Sequence, residues 1–121
     1  MNFFDIFKKK EPGSEYLNRN INYDKNEFSD YSLEEFVFEI HDIFSISGRG
    51  TVVVGLVKSG CVRMNDTIKI MDGDLVIKET NVGGIEMFRK ILSEAEKGDK
   101  CGILLRGVTK DEVEIGYVLK K

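Results

Sequence analysis

Proline and histidine each occur once in the 121 residues, and cysteine occurs twice. Cys61 and Cys101 lie far apart and neither belongs to a Cys-x-x-Cys pair. With His41 as the lone histidine they cannot assemble a structural zinc set, so buried free thiols are expected, in keeping with a reducing, cytoplasmic setting. No apolar run approaches the ~20 residues of a membrane helix, so no stable membrane insertion is expected. Phe3-Phe4-Asp5-Ile6-Phe7 is too short for a secretory core, and its lysines follow it. Phosphate-cradling Gly-x-x-x-x-Gly-Lys-Ser/Thr is absent: Lys58-Ser59 comes nearest, without the preceding glycine. The guanine-reading Asn-Lys-x-Asp is missing too, so these residues are not expected to bind or hydrolyse GTP unaided. No paired His–carboxylate group, metal spacing or nucleophile elbow stands out, and no enzymatic activity, catalytic residue, cofactor or metal is expected. A cationic excess is also lacking. Eighteen Lys and Arg face 21 Asp and Glu, net −3 with pI ≈ 5.3. That excludes a protein that coats duplexes but leaves open a short RNA end, where stacking and a few contacts suffice.

What is present is enough for one domain and a tail. The chain is 41% apolar and 32% charged, which supports a modest core. Residues 1–35 differ in texture. The Phe-rich start leads into Lys8-Lys9-Lys10, then Glu11-Pro12-Gly13-Ser14 makes a break, and a polar stretch rich in Asn, Asp, Tyr and Glu follows. Three readings stay open for this extension: a segment docked on the domain, a disordered tail, or a weak interfacial anchor. Ser32-Leu33-Glu34-Glu35 fits a capping box and predicts a single helical turn.

From residue 36 the period becomes two. Phe36, Phe38 and Ile40 alternate with Val37, Glu39 and His41. Ser47-Gly48-Arg49-Gly50 reads as a hairpin turn, and residues 51–57 as a β-branched strand with Gly55 marking a bulge or close approach. Turns follow at Ser59-Gly60, Asn65-Asp66 and Asp72-Gly73, with strands at 67–70, 75–80, 101–105 and 113–119 and a hinge at Gly83-Gly84. Short strands at this spacing predict a sandwich or barrel. Residues 85–97 conflict with themselves: Ile85, Phe88, Ile91, Leu92 and Ala95 fall at helical spacing.

Three ordered blocks carry a resemblance: Phe44-Ser45-Ile46-Ser47-Gly48-Arg49-Gly50-Thr51-Val52-Val53, then Gly84-Ile85-Glu86-Met87-Phe88-Arg89-Lys90, then Ile103-Leu104-Leu105-Arg106-Gly107. Together they resemble the second domain of elongation factor Tu, over residues 36–120. The resemblance implies an all-β, closed antiparallel translation-factor-type β-barrel at 36–121, with no counterpart of the GTPase domain within the 121 residues. It also implies a strand rather than a helix at 85–89 and a loop at 93–99. In that family the domain packs on the GTPase domain, offers a pocket to the 3′ end of aminoacyl-tRNA, and presents a loop to the small ribosomal subunit. Carried over, Glu86 is the adenosine-contact candidate, Asp42 and Phe44 lie near the esterified amino acid, and Arg89 lies near the tRNA end. Gly48, Arg49 and Gly50 form the candidate ribosome-facing loop. Val52, Ile46 and Ile103 are candidate walls of the base slot.

His41, Val54 and Lys100 depart from the family's polar aminoacyl contacts, which puts recognition of the charged amino acid in doubt. Each candidate also has a plain structural reading: Glu86 as a solvated strand residue, Phe44 as core, Arg49 as an exposed turn residue. Two functions follow. One is a protein-interaction module that docks a translational GTPase or other protein, or self-associates. The other is a binder of the tRNA 3′ end or a ribosomal RNA surface.

Overall fold

The computed structural model describes residues 34–121. The Phe-rich start, the lysine triplet, the Pro-Gly break and the helix start at Ser32 lie outside them. The described residues form nine strands and a single 3-10 turn, Lys110–Glu112. The strands are β1 (Val37–Ile46), β2 (Gly50–Ser59), β3 (Cys61–Arg63), β4 (Thr67–Asp72), β5 (Leu75–Met87), β6 (Lys90–Leu92), β7 (Glu94–Glu96), β8 (Lys100–Leu105) and β9 (Val118–Lys120). The main sheet runs β4-β9-β1-β2-β8-β5-β6, and β4 also pairs with β5, so the pairings return on themselves in a ring. β3 and β7 pair separately. No helix among the described residues is long and apolar enough to cross a membrane.

The main core lies inside this ring. Phe36, Phe38, Ile40, Val53, Val57, Ile68, Ile70, Val82, Ile85, Ile103, Leu105 and Leu119 are all nearly inaccessible to solvent and belong to one cluster. The alternation read from Phe36, Phe38 and Ile40 is therefore the inward face of β1. A second, smaller cluster of Ile46, Val52, Val54 and Leu104, with Phe44 against it, lies on the other face of the same sheet. This is why residues 51–57 read as a continuous apolar run: successive side chains of β2 feed the two clusters in turn.

Two bulges decide which residues reach that second face. In β1, Ile40 pairs with Gly55 and Asp42 with Val54, so His41 is the extra residue. Before it even-numbered residues point inward; after it Ile43 points inward, and Asp42, Phe44 and Ile46 point outward. In β5, Val82 pairs with Leu105 and Gly84 with Leu104, leaving Gly83 extra. Val82 and Ile85 both reach the core as a result, and Glu86 is turned to the outer face. The Gly83-Gly84 pair is thus a bulge inside a continuous strand, not a hinge.

Gly55 is required by close approach. A Cβ there would sit 1.8 Å from the Glu39 carbonyl oxygen, so any side chain forces β1 and β2 apart. Gly50, at φ +132°, leaves the β1–β2 turn with its Cα against the Leu105 carbonyl, a backbone open only to glycine. The turn closes with Arg49 N–H donating to the Ile46 carbonyl at 3.0 Å.

Several expectations need correction. The strand expected at 85–89 in place of a helix is present as far as Met87, and β5, β6 and β7 occupy the segment of helical spacing. The first of these strands ends at Met87, and Phe88 and Arg89 form a two-residue turn, both with left-handed backbone (φ 48° and 70°). The expected loop at 93–99 contains β7, which pairs with β3. Of the strand expected at 113–119 only Val118 and Leu119 are strand, which runs on to Lys120, because residues 113–117 turn and are held to β1 through Ile40 N–H to the Tyr117 carbonyl and Gly116 N–H to the Ile40 carbonyl, both 3.1 Å. Of the thiols expected to be buried, Cys101 is buried and Cys61 half-buried.

Candidate functional site

The outer face of β1-β2-β8-β5-β6 can be read row by row from the register. One row is Phe44, Val52, Leu104 and Gly84; the next is Asp42, Val54, Gly102, Glu86 and Ile91. Residues paired directly across antiparallel strands project to the same side, so each row is a line of neighbouring side chains. Gly102 contributes no side chain, which leaves a gap in the second row between Val54 and Glu86. Lys100 stands two positions before Gly102 on the same face and is exposed. Arg106 stands beyond Leu104, its aliphatic stem lying over Gly83, where a Cβ would come within 2.9 Å of Arg106 Cγ.

Glu86 is the anomaly of this face. It is 3% exposed, and its Oε1 has no hydrogen-bond partner among the described residues. An unpaired buried carboxylate is costly, so burial pushes its pKa up from 4.5 to about 7, with the Arg49 guanidinium pulling the other way. Arg49 therefore stands near enough for its charge to reach Glu86.

Asp42 is half-buried, and its Oδ1 accepts from the N–H of Ile43 at 2.9 Å, which braces the end of the bulge. Phe44 packs on the outer cluster rather than the main core. Arg89 is exposed at the left-handed turn that follows Glu86 and Met87. His41 turns its ring to Glu39, with Nε2 2.9 Å from Oε1. That hydrogen bond is the largest influence holding the Glu39 pKa below its usual value. Val54 is buried in the outer cluster, and Lys100 is exposed one step along the face from Glu86's row.

Val52 and Ile46, offered as slot walls, belong to the outer cluster; Ile103 does not, because it points into the main core, and Leu104 takes its place on this face. Ile91 was missed. It is 78% exposed and pairs directly with Glu86, supplying an apolar edge beside the carboxyl. The signal for it was available only once a hairpin at Phe88-Arg89 had been recognised.

The whole arrangement is an apolar patch with one buried acid at its centre and Arg49, Arg106, Arg89 and Lys100 on elements around it. It has the parts to hold a flat apolar group by its faces and address its polar edge. Among the described residues no group of three or more His, Cys, Asp or Glu could hold a metal. The family model for elongation factor Tu domain 2 matches residues 50–119, which takes in the turn at Gly50, the bulge at Gly83, Glu86 and all of β8. More than half of the chain is matched, and the chain belongs to the elongation factor Tu domain 2 family.

Proposed function

We propose that the chain is a non-catalytic, cytoplasmic, translation-related binding module, built as a closed antiparallel barrel, whose outer face takes the adenosine end of an RNA. One observation carries this reading: a buried carboxyl with an unpartnered oxygen, Glu86, stands in an apolar patch next to a position without a side chain, Gly102. A nucleobase needs apolar contact on its faces and a polar partner at its edge, and this face supplies both. Arg49, Arg89, Arg106 and Lys100 offer the phosphates counter-charge in a chain whose net charge is −3. The aminoacyl side is poorly served: Val54 is apolar, His41 is tied to Glu39, and Lys100 would repel an α-ammonium group. The ligand that fits is therefore an uncharged 3′ end rather than an aminoacylated one.

Fluorescence anisotropy of a CCA-ended RNA oligonucleotide against the protein at low salt tests this. Saturable binding that weakens with added salt is expected. An absence of response at high micromolar protein would sink the reading.

A second reading, docking of a translational GTPase or another protein, or self-association, has its own support. Leu75, Val76 and Ile115 are exposed apolar side chains. β4 joins their neighbourhoods, with Met71 paired to Val76 on one side and Val118 on the other. Light scattering across a concentration series checks self-association, and Leu75→Lys is expected to abolish any dimer found.

A further inference from the structure

A second apolar surface is carried by β9, β4 and the start of β5. Val118, Met71 and Val76 are paired across these strands in one row, and Val76 is 49% exposed. Ile70 and Leu119, the neighbours of Met71 and Val118 along their strands, belong to the main core, so the row faces outward. Leu75, 62% exposed, stands at the β4–β5 turn, and Ile115, 66% exposed, on the loop before β9. Tyr117 joins the two. Its N–H donates to the Glu114 carbonyl at 3.1 Å, and its hydroxyl pKa is raised by desolvation and then by the charges of Glu114 and Asp72. The turn that carries Leu75 and the loop that carries Ile115 therefore adjoin.

The rim of this surface is acidic. Asp72 and Asp74 flank Gly73 in the turn, and Asp111 and Glu114 stand on the loop. All four are exposed and none has an ion-pair partner among the described residues, whereas Glu112 beside them is held by Lys78 at 3.1 Å. Lys110 leaves the loop negative. The occupant such a surface calls for is an apolar segment followed by cations, and the chain contains one: Phe3-Phe4-Asp5-Ile6-Phe7-Lys8-Lys9-Lys10. The outer face would repel the same lysines, with Arg49, Arg89, Lys90, Lys100 and Arg106 around it.

The chain also enters the domain on the matching side. The Glu35 carboxylate lies 3.5 Å from Lys120 Nζ on β9, and Val118 is two residues back along that strand. Residues 11–33 join the segment to this entry, and a chain of that length has an r.m.s. span of about 26 Å. A domain of this size is about 30 Å across, so the surface lies within reach and the segment meets it at an effective concentration on the order of millimolar. A weak contact is enough to keep it seated.

Taking up the second reading of this surface as a docking site, we propose that its occupant is residues 3–10 of the same chain, with Phe3, Phe4 and Phe7 covering Leu75, Val76 and Ile115, and Lys8, Lys9 and Lys10 facing Asp72, Asp74 and Glu114. The domain then carries its own cover, and another protein gains the surface only by displacing it.

Amide NMR of the full chain at low salt tests this, with Ile115 as the reporter because it is substituted in no variant. Phe3→Ser/Phe4→Ser/Phe7→Ser and Lys8→Glu/Lys9→Glu/Lys10→Glu are each expected to move the Ile115 amide and those of 71–76, at any protein concentration, and to leave Val54 and Ile91 in place. Added salt is expected to move Ile115 part of the way, as the lysine contacts are screened. Asp72→Lys/Asp74→Lys also releases the segment, and combining it with the lysine reversal is expected to return Ile115 to its wild-type position. An Ile115 amide that neither the aromatic nor the lysine variant moves overturns the inference. Movement confined to Val54 and Ile91 seats the segment on the outer face and also overturns it. Movement that appears only as concentration rises gives the surface to a second copy, which overturns this inference and leaves the docking reading standing. An unmoved Ile115 together with a strict monomer in light scattering removes the self-association of that reading as well.

Discussion

The two faces of β2, β8 and β5 are made from the same strands and do different work. The inner face, centred on the row Val53, Ile103 and Ile85, is closed within the ring, and its buried Thr51 hydroxyl is satisfied by donating to the Val108 carbonyl at 2.6 Å. The outer face, centred on Val52, Val54 and Leu104, is also apolar and buried, yet it carries an acid with an unsatisfied oxygen at its heart. A face devoted only to stability has no use for such a group, because replacing it with a hydrocarbon would cost nothing in hydrogen bonds. The inner face is what the fold needs. The outer face is where the fold tolerates a penalty, and the proposed binding role rests on that penalty.

If the inner face is the one that stabilises, changes there should dominate. Ile103→Ala, at a fully buried position, is expected to cost about 2–5 kcal/mol through lost burial and a residual cavity. Its urea midpoint should fall accordingly, with little change in slope. Gly55→Ala attacks the frame rather than the filling. Its methyl meets the Glu39 carbonyl at 1.8 Å, so β1 and β2 must part, and a loss of about 3 kcal/mol is expected from the same measurement. A wild-type urea midpoint for either variant would erase the distinction between the faces.

Glu86→Gln probes the outer face, and here the sign reverses. Folded Glu86 keeps its proton to about pH 7, whereas the unfolded chain releases it near 4.5. Between those values the folded state binds more protons, so stability falls as pH rises through the window and stays lower above it. The Gln variant has no proton to lose. It should match wild type near pH 4 and exceed it at pH 8 by on the order of 1–2 kcal/mol, reduced from the full linkage value by the solvent that reaches the rim of the site. Thermal melts at the two pH values check this. A variant less stable than wild type at pH 8 would mean that the carboxylate is satisfied after all.

The inner face could be read from the chain and the outer face only in part. Period-two alternation at Phe36, Phe38 and Ile40 announces strands and a core because nothing interrupts it there. The outer face depends on two interruptions, His41 and Gly83, each of which reverses the parity of everything after it. A sequence shows the alternation but not which strand carries the extra residue, since a bulge is defined by its partner strand. The outward turn of Glu86 follows from the bulge at Gly83, whereas Leu104 rather than Ile103 stands beside Val52 through the unbroken register of β2 with β8, which a single strand's sequence does not show. The helical spacing at 85–97 has a similar origin. A two-residue turn at Phe88-Arg89 resets the phase between β5 and β6, and the sum of two short strands imitates a period of 3.6. The resemblance to a known family supplied what the pattern could not. It named Glu86, Asp42 and Phe44 without giving the bulges that turn them to the outer face.

The smallest expected effect tests that same turn. Met87 pairs with Lys90, so Phe88 and Arg89 are the central residues of a two-residue hairpin with left-handed backbone at both positions. Such turns favour Asn-Gly or Asp-Gly, because a Cβ in this region is crowded by its own carbonyl. Phe88 has a compensating contact with the main core. Arg89 is exposed, in a backbone conformation that disfavours any residue with a Cβ. Strain kept at a site is reasonable when the side chain is needed there, and a guanidinium next to the outer face is what a phosphate would require. Arg89→Gly is therefore expected to raise stability by up to about 1 kcal/mol while weakening binding of the CCA oligonucleotide and flattening its salt dependence. Opposite movement of the melt and the binding isotherm would identify Arg89 as a functional residue held at a structural cost. If both rise together, or binding does not move, Arg89 is only a turn residue and the functional face ends at Ile91.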